Sequence, residues 1–248
     1  MNAVIVVPCY NEARRLPGEQ YLAFLRAHGE FSLLFVNDGS RDETLSVLTE
    51  LAGRSERIEV LDLSQNGGKA EAVRRGVVHL GDVPDLVGFL DADLSTPLAA
   101  LADFREVFLA RPEVELVLGA RVRLLGRRIE RRQLRHLLGR AFATAASATL
   151  SLPVYDTQCG AKMWRPTATL QAVFATPFSS RWIFDVELLA RYAQAFAWDT
   201  GAISARIVEV PLMQWHEVSG SRLKSSDFVQ SAADLLALAW RYRVRQRH

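Results

Sequence analysis

The stretch "VGFLDADLSTP", residues 87–97, decides the fold assignment, because two carboxylates follow a short apolar run directly. Residues 87–90 lack polar alternation, which is typical of a strand buried in a parallel sheet. Open α/β sheets bind their ligands at the carboxyl ends of such strands. Asp91 and Asp93 are therefore candidate ligands, although one Asp-x-Asp match alone is a weak signal. The alternative interpretation of the two carboxylates is helix capping ahead of Pro97.

On both sides of this stretch, strand-like and helix-like segments alternate with short connectors, as in a parallel sheet with crossover helices. The predicted strands cover residues 3–7, 32–37, 58–63, 86–90 and 116–119. The predicted helices cover residues 22–27, 42–51, 69–79 and 98–110. Farther on, long amphipathic helices are predicted over 127–150 and 227–243. The sequence thus predicts an α/β fold, a Rossmann-like and mostly parallel sheet flanked by helices, with amphipathic helices in the C-terminal half.

Composition narrows the class of protein. A chain of 248 residues that is 49% apolar can bury a full core, and we predict one domain over residues 1–248. Its two cysteines, Cys9 and Cys159, are too few for a disulfide framework, and no signal-peptide pattern opens the sequence. We therefore expect a reducing, cytoplasmic location. No stretch approaches ~20 uninterrupted apolar residues, so any membrane contact is expected to be peripheral.

Other predicted strands also end in groups that suit a ligand. In "VVPCYNE", Tyr10 could stack on a nucleobase while Asn11 and Glu12 bind its sugar, although a plain strand-to-helix turn is the alternative. In "VNDGSRDET", Asp38 could accept the N–H groups of a uracil or a guanine. In "SQNGGKAEAVRRG", Lys69 follows a glycine pair at a helix start, which suits a diphosphate. P-loop and dinucleotide-binding glycine spacings are absent.

Taken together, these strand ends predict a nucleoside diphosphate bound across one edge of the sheet. Asp91 and Asp93 would bind Mg²⁺ or Mn²⁺, which prefer oxygen ligands and often use one or two carboxylates plus phosphates. Asp185 and Glu187 are two apart in a helix-like stretch, so we expect one to face the site and the other to cap or pair. His216 is either a metal ligand or an ordinary packed histidine.

A local excess of positive charge lies in "RVRLLGRRIERRQLRHLLGR", residues 121–140, which contains eight arginines and one acidic residue. The block could be a solvated helical face, a nucleic-acid patch, or an interfacial helix that meets anionic headgroups and an acceptor phosphate. Because aromatic interleaving and nucleic-acid motifs are absent, no nucleic-acid partner is predicted. An apolar stripe on the predicted helix favours the interfacial interpretation. The same stripe could also be a dimer contact or part of the core.

The order of these motifs resembles that of family 2 glycosyltransferases with the glycosyltransferase-A fold, in particular dolichyl-phosphate β-glucosyltransferases and bacterial polyprenyl-phosphate relatives. The matching segments span residues 4–223 and are "VPCYNE", "VNDGSRDET", "NGGKAEAVRRG", "DADLSTP", "GAR", "DTQCGAK", "RWIFDVELL" and "WHEVSGSRL". The resemblance implies a nucleotide-sugar-binding half over residues 1–120 and an acceptor-binding half over 121–248. Ala70 and Ser95 depart from common residues of the family, and Ser95 favours glucose over mannose.

The resemblance also implies roles for individual residues. Those implied to hold the nucleotide sugar are Pro8, Tyr10, Glu12, Asp38, Lys69, Asp91, Ser221 and Arg222. Those implied to receive the acceptor phosphate are Arg121, Arg128, Arg131 and Arg132. The implied catalytic residues are Asp93, Arg121 and Asp185, with Asp91 and Asp93 as the ligands of Mg²⁺ or Mn²⁺.

The implied reaction moves a hexose, with glucose from UDP-glucose as the first choice, to polyprenyl phosphate with inversion at the anomeric carbon. A phosphate monoester has its second pKa near ~6, so this acceptor is ionised at neutral pH and needs no strong base. A soluble or glycan hydroxyl acceptor would need one, and Asp185 is the candidate. A non-catalytic nucleotide-binding module and a nucleotidyltransferase are further alternatives. The latter is disfavoured because "PCYNEARRLP" has no glycine before Gly18.

Overall fold

The computed structural model describes residues 1–81, 83–130, 133–218 and 225–243. A seven-stranded sheet forms its centre, in the order β3-β2-β1-β4-β7-β5-β8. Six of these strands run parallel, and β7 runs antiparallel between β4 and β5. The strands are β1 (Ala3–Cys9), β2 (Phe31–Asp38), β3 (Ile58–Leu63), β4 (Leu86–Leu90), β5 (Leu116–Ala120), β6 (Arg128–Glu130), β7 (Ala161–Trp164), β8 (Ile207–Pro211) and β9 (Gln214–His216).

Helices cover both faces of the sheet. They are α1 (Gly18–Ala27), α2 (Thr44–Gly53), α3 (Lys69–Leu80), α4 (Ala99–Ala110), α5 (Gln133–Leu150), α6 (Ala168–Ala175), α7 (Phe184–Ala195), α8 (Thr200–Ser204) and α9 (Ser225–Arg243). Successive side chains of a strand point to opposite faces, so β1 supplies Val6 to the core under α3, α6 and α7, and Ile5 and Val7 to the core under α1, α2 and α4. The predicted mostly parallel sheet flanked by helices is thus confirmed.

The approach of α3 to the sheet explains a glycine in the middle of that helix. A Cβ atom on Gly76 would come within 2.6 Å of Val6 Cγ1 and 3.0 Å of Val36 Cγ2. Because only a glycine leaves room there, α3 packs directly on β1 and β2. This close packing fixes the N-terminal turn of α3, which bears Lys69, against the carboxyl end of the sheet.

The five strands and four helices predicted for the first half are confirmed, with exact bounds for β3 and β4 and differences of at most four residues elsewhere. The helix predicted over 127–150 is wrong at its start. Arg128 lies in β6, which pairs in parallel with β9, and α5 begins only at Gln133. Burial alternates over β6, with Ile129 buried between exposed Arg128 and Glu130, which is the period of a strand. Arg128 therefore does not stand on an amphipathic helix.

Four residues with predicted roles, Arg131, Arg132, Ser221 and Arg222, lie outside the described residues. The helix predicted over 227–243 is confirmed and begins two residues earlier, at Ser225. Within the described ranges, no helix combines the length and the hydropathy needed to cross a bilayer.

Candidate functional site

The predicted site residues of the first half meet at the carboxyl edge of the sheet. Cys9 pairs in register with Asn37, so Tyr10, directly after β1, lies level with Asp38, the last residue of β2. Lys69 and Asp91 are in direct contact, with 2.6 Å between Nζ and Oδ1. About a third of each side chain is exposed, 36% for Lys69 and 32% for Asp91, so a ligand can reach both groups. The strand ends that the sequence singled out are thus brought together.

The Lys69 ammonium lies among acidic and aromatic groups. Burial lowers the pKa of Lys69, but the carboxylates of Asp91 and Asp185 outweigh this effect and raise its pKa overall. The ammonium also lies 5.3 Å from the ring centre of Phe89. Lys69 therefore remains a cation at neutral pH and is held at the mouth of the site, where it can donate to phosphate oxygens.

The turn after β4 presents its two carboxylates in different ways. Asp91 N–H donates to Gly160 O at 3.0 Å, and a Cβ atom on Gly160 would lie only 2.0 Å from Asp91 Oδ2. Asp93 Oδ1 accepts a hydrogen bond from Ser95 N–H at 3.0 Å, which shapes the turn. His216 N–H donates to Ser95 O at 3.1 Å and thereby joins β9 to it. The alternative interpretation, helix capping ahead of Pro97, is wrong, because α4 has no side-chain cap at its start.

These oxygen donors suit a hard divalent cation, although they are few. Over the part of the chain that the structure describes, no three or more His, Cys, Asp or Glu side chains cluster as metal ligands would. Asp91 and Asp93 would therefore need additional oxygens from phosphate or water to complete a coordination shell, as Mg²⁺ sites commonly do. Three residues after Asp93 in the sequence, the hydroxyl of Thr96 is buried and has no hydrogen-bond partner.

Asp38 organises the glycine turn in front of α3. Its Oδ1 accepts from Gly67 N–H and its Oδ2 from Gly68 N–H, both at 2.8 Å. Burial raises the pKa of Asp38, and the two glycine N–H groups and Arg181 lower it by smaller amounts. Within the described residues, Asp38 makes no bond to α2, where a different residue, Asp42, accepts from Thr44 N–H at 3.1 Å and the N-cap Glu43 makes no side-chain capping bond. Asp38 therefore serves the turn that carries Lys69.

The loop after β1 is internally bonded. The Glu12 carboxylate is bound in a bidentate manner by Arg15, with 2.5 Å from Nη2 to Oε1, and Glu12 N–H donates to Thr44 Oγ1 at 2.7 Å. Pro8 and Tyr10 are half-buried beside it. Glu12 is therefore engaged within the loop, and the two half-buried side chains are accessible at the edge of the site.

Arg121 lies at the other side of the site in an ion pair that the sequence analysis missed. Its Nε and Nη2 donate to the two carboxylate oxygens of Asp156 at 2.7 and 2.8 Å. The ring centre of Trp215 lies 5.4 Å from its guanidinium carbon. Burial raises the pKa of Asp156, but Arg121 outweighs burial and brings it to about 2. The quoted motif "DTQCGAK" contained this aspartate, yet the pairing spans 35 residues and has no local signal.

A polar recess adjoins this pair. It is lined by Arg121, Arg140, Tyr155 and Thr157 among others. The Arg140 guanidinium lies over the ring of Tyr155, 3.6 Å from its centre, and donates to Tyr155 O at 2.7 Å. The hydroxyl of Thr157 is fully buried and has no hydrogen-bond partner. The recess thus places two guanidinium groups beside an unpaired hydroxyl.

Behind the site, Asp185 forms a buried ion pair with Lys162. Lys162 Nζ donates to Asp185 Oδ1 at 2.6 Å and to Cys159 O at 2.7 Å, and Lys162 is fully buried. Glu187, two residues on, binds Arg191 and Ser179 instead. The two acids thus face different partners, as the sequence spacing indicated, and Lys162 was missed. Because Asp185 is buried and already bound, it has little access to an acceptor hydroxyl.

A family model described as "Glycosyl transferase family 2" matches residues 4–167, which include the strand ends and the Arg121–Asp156 pair. The chain belongs to glycosyl transferase family 2. It is therefore a glycosyltransferase, as the order of its motifs predicted.

Curated relatives show which members of the family the chain resembles. A dolichyl-phosphate beta-glucosyltransferase of Drosophila melanogaster is 31% identical, over 97% of this chain and 75% of its own length. One of Trichomonas vaginalis is 30% identical, over 96% of this chain and 71% of its own. The enzyme of that name from Saccharomyces cerevisiae is 27% identical, over 96% and 74%. The predicted resemblance to dolichyl-phosphate β-glucosyltransferases is thus confirmed.

Solved structures support the fold. A crystal structure of glucosyl-3-phosphoglycerate synthase from Mycobacterium tuberculosis superposes with a TM-score of 0.68 at 17% identity, over 97% of this chain and 80% of that chain. The same synthase in complex with Mn²⁺, UDP-glucose and phosphoglyceric acid gives a TM-score of 0.69, over 97% and 79%. The likeness confirms the predicted glycosyltransferase-A fold.

Proposed function

We propose that this glycosyltransferase transfers glucose from UDP-glucose to the phosphate of a polyprenyl or dolichyl phosphate, with inversion and with Mg²⁺ or Mn²⁺ as cofactor. The observation that carries the proposal is the contact of Lys69 with Asp91 beside the turn organised by Asp38. This arrangement offers a cation, a carboxylate pair and a nucleoside-facing strand end at one edge of the sheet. The names of the curated relatives favour this donor and acceptor.

Residues 1–120 would hold the donor. Pro8 and Tyr10 would contact the nucleoside, Glu12 would shape their loop through Arg15, and Asp38 would accept the base N–H. Asp91 and Asp93 would hold the cation, which when bound neutralises charge that builds on the leaving diphosphate. Lys69 would add a second positive charge to the same oxygens, a preorganised electrostatic contribution to the rate. Ser221 and Arg222, outside the described residues, would close over the donor.

Residues 121–248 would hold the acceptor. The recess beside Arg121 offers guanidinium groups for the phosphate of the lipid, and the ion pair with Asp156 keeps Arg121 in place. A phosphate monoester carries its own negative charge and can attack without a base. The buried position of Asp185 supports this acceptor over a hydroxyl, the alternative that would need Asp185 as base. A non-catalytic nucleotide-binding module would show no turnover at all.

A surface beside β6 would meet the membrane on its cytoplasmic face. Leu124, Leu125 and Met213 are exposed, and Leu125 is fully so. Arg127 contacts both Pro211 O and Met213 Sδ, and Arg128 is exposed next to it. Apolar tips surrounded by arginines suit a peripheral contact with anionic lipids. Arg128 would serve the acceptor side from this strand, together with Arg131 and Arg132.

The membrane contact is tested by sedimentation with anionic liposomes. Leu125→Glu combined with Arg128→Gln should lower the bound fraction severalfold, because both apolar area and positive charge are lost. Val83→Glu with Arg26→Gln makes the same chemical change at the amino edge of the sheet, where both residues are exposed, and should have no effect. Equal binding of the two double variants would rule out the surface.

The reaction is tested by following radiolabelled glucose from UDP-glucose into an organic phase with polyprenyl phosphate. The wild-type chain should transfer label when Mn²⁺ or Mg²⁺ is present and lose this transfer with chelator, and soluble glycans should remain unlabelled. Label in a glycan alone would favour the hydroxyl acceptor, and no metal-dependent turnover with any UDP- or GDP-sugar would favour the non-catalytic module. The same mixtures analysed by mass spectrometry identify the sugar.

A further inference from the structure

A guanidinium from the second half of the chain reaches the turn that presents Lys69. Arg181 lies just before α7, and its Nε donates to Gly67 O at 3.2 Å. Its Nη2 donates to Asn66 Oδ1 at 3.1 Å. These partners are 114 and 115 residues away in sequence, so the contact is a tertiary feature that bridges the two halves of the chain.

The amide of Asn66 connects this cation to Asp38. While its Oδ1 accepts from Arg181, its Nδ2 donates to Asp38 Oδ2 at 2.9 Å and to Asp38 O at 3.0 Å. Both ends of the amide are therefore used, and only one orientation of the amide satisfies them. In such a chain of hydrogen bonds each bond polarises the next. The Arg181 cation therefore strengthens the hydrogen bond from Asn66 to the Asp38 carboxylate.

The glycine pair is shaped to receive the guanidinium. Gly68 has φ +87°, and a Cβ atom on it would lie 2.8 Å from Arg181 Nε. Any other residue at this position would therefore be strained and would displace Arg181. The N–H groups of Gly67 and Gly68 donate to the carboxylate of Asp38. Arg181 and Asp38 thus bind the same turn through different backbone groups.

The backbone that carries Arg181 is itself held on both sides. Ser180 is buried, and its Oγ accepts from Trp182 N–H at 3.2 Å and donates to Asp234 of α9. Ser179 N–H donates to the buried carboxylate of Glu187 at 2.7 Å. Although the Arg181 side chain is exposed, its backbone is therefore presented from a rigid support, which a positioning role requires.

We propose that Arg181 is a positioning residue for nucleobase recognition, which acts through the amide of Asn66 to hold the Asp38 carboxylate where the base N–H is received. The inference rests on the proposed nucleotide-sugar site. It is supported by the charges around Asp38: burial raises the pKa of this carboxyl, Arg181 lowers it and Glu71 raises it. The Arg181 cation thus favours the charged form of the carboxylate, which is the form that would accept the base N–H.

The test compares Arg181→Gln and Arg181→Lys with Arg54→Gln, which removes an exposed ion-paired arginine directly after α2. In the presence of Mn²⁺, Arg181→Gln should weaken binding of UDP and of uridine alike by about tenfold, the usual effect of losing one hydrogen bond to a charged group. The KM for the donor should rise by the same factor while kcat stays within about twofold. Arg181→Lys should recover part of the loss, and Arg54→Gln should match the wild type.

A double-mutant cycle tests the connection through Asn66. In an Asn66→Ala background, Arg181→Gln should cost less than about twofold further, because the two residues act in one chain. Additive losses would contradict this.

Three other outcomes would overturn the inference. The first is unchanged uridine binding by Arg181→Gln together with weaker pyrophosphate binding, since Arg181 would then contact the diphosphate. The second is a loss of kcat that tracks a fall in Tm, since the role would then be structural. The third is equal UDP binding by Arg181→Gln and by the wild type. Arg181 would then have no role in binding the donor, while the proposed donor site itself would stand. A wild-type chain that binds neither UDP nor GDP would overturn the proposed function as well.

Discussion

Two lysine–aspartate pairs lie close to the same aromatic ring. Lys69 Nζ is 5.3 Å and Lys162 Nζ 5.1 Å from the ring centre of Phe89, and each ammonium is 2.6 Å from its carboxylate. Their surroundings differ. Lys69 and Asp91 are about a third exposed, whereas Lys162 and Asp185 are exposed by 0% and 6%.

The difference in exposure decides what each pair can do. An exposed ion pair contributes about 0–1 kcal/mol to stability, so a ligand can separate Lys69 from Asp91 at little cost. A buried pair cannot be broken from one side without leaving a charge in a medium of low polarity, so Lys162 and Asp185 must stay together. The two pairs have the same ammonium–carboxylate distance but different roles: Lys69 and Asp91 are available to a substrate, whereas Lys162 and Asp185 support the site from behind.

The largest expected effect is on the buried pair. Lys162→Met should destabilise the fold by about 3–5 kcal/mol, because Asp185 is left buried without its partner. Replacing both residues, Lys162→Met with Asp185→Leu, should recover much of this loss, since no charge then remains buried. Urea unfolding of the three chains measures both values, and a cost below about 1 kcal/mol for Lys162→Met would show that this pair behaves like an exposed one.

The exposed pair should respond in the opposite manner. Asp91→Asn should change the free energy of unfolding by no more than about 1 kcal/mol but lower kcat/KM by at least about a hundredfold, because a ligand for the cation and diphosphate is lost. The matched control is Asp103→Asn, an exposed aspartate on α4. Asp91→Asn with near wild-type activity would contradict the functional half of the comparison.

The Arg121–Asp156 pair supplies a third case with a pH signature. The pKa of Asp156 falls from 3.8 to about 2, so its ion pair is fully formed above pH 4 and is lost as the pH falls towards 2. Asp156→Asn should therefore cost about 2 kcal/mol at pH 6, and this cost should shrink as the pH falls below 4. Unfolding at a series of pH values measures the difference, and a cost that is constant with pH would contradict the assignment.

The sequence predicts residues placed by local patterns but not pairs formed by tertiary contacts. Strand and helix patterns predicted where four site residues lie, because each of them ends, follows or begins an element of the first half: Asp38, Lys69, Asp91 and Asp93. The pairs of Arg121 with Asp156 and of Lys162 with Asp185 span 35 and 23 residues and depend on β7, a four-residue strand inserted antiparallel between two parallel ones. No local pattern records such a pairing.

The segment around Arg128 is a second place where the local pattern does not predict the structure. The segment around Arg128 was assigned to a helix because arginines and leucines recur there at helical spacing, whereas the three residues of β6 alternate with the period of a strand. So short a strand is stabilised by its partner β9, more than 80 residues later, and by the bond of Arg127 to Pro211 O. Tertiary pairing therefore overrode a helical pattern of charge.

The most direct test of the central claim is the binding of Mn²⁺ measured by the electron paramagnetic resonance signal of the free ion, with and without UDP. If Asp91 leaves Lys69 to hold the cation with the diphosphate, the wild-type chain should bind about one Mn²⁺ when UDP is present, and Asp91→Asn and Asp93→Asn should bind far less. Asp103→Asn should bind like the wild type. Unchanged UDP-dependent Mn²⁺ binding in both Asp91→Asn and Asp93→Asn would contradict the account.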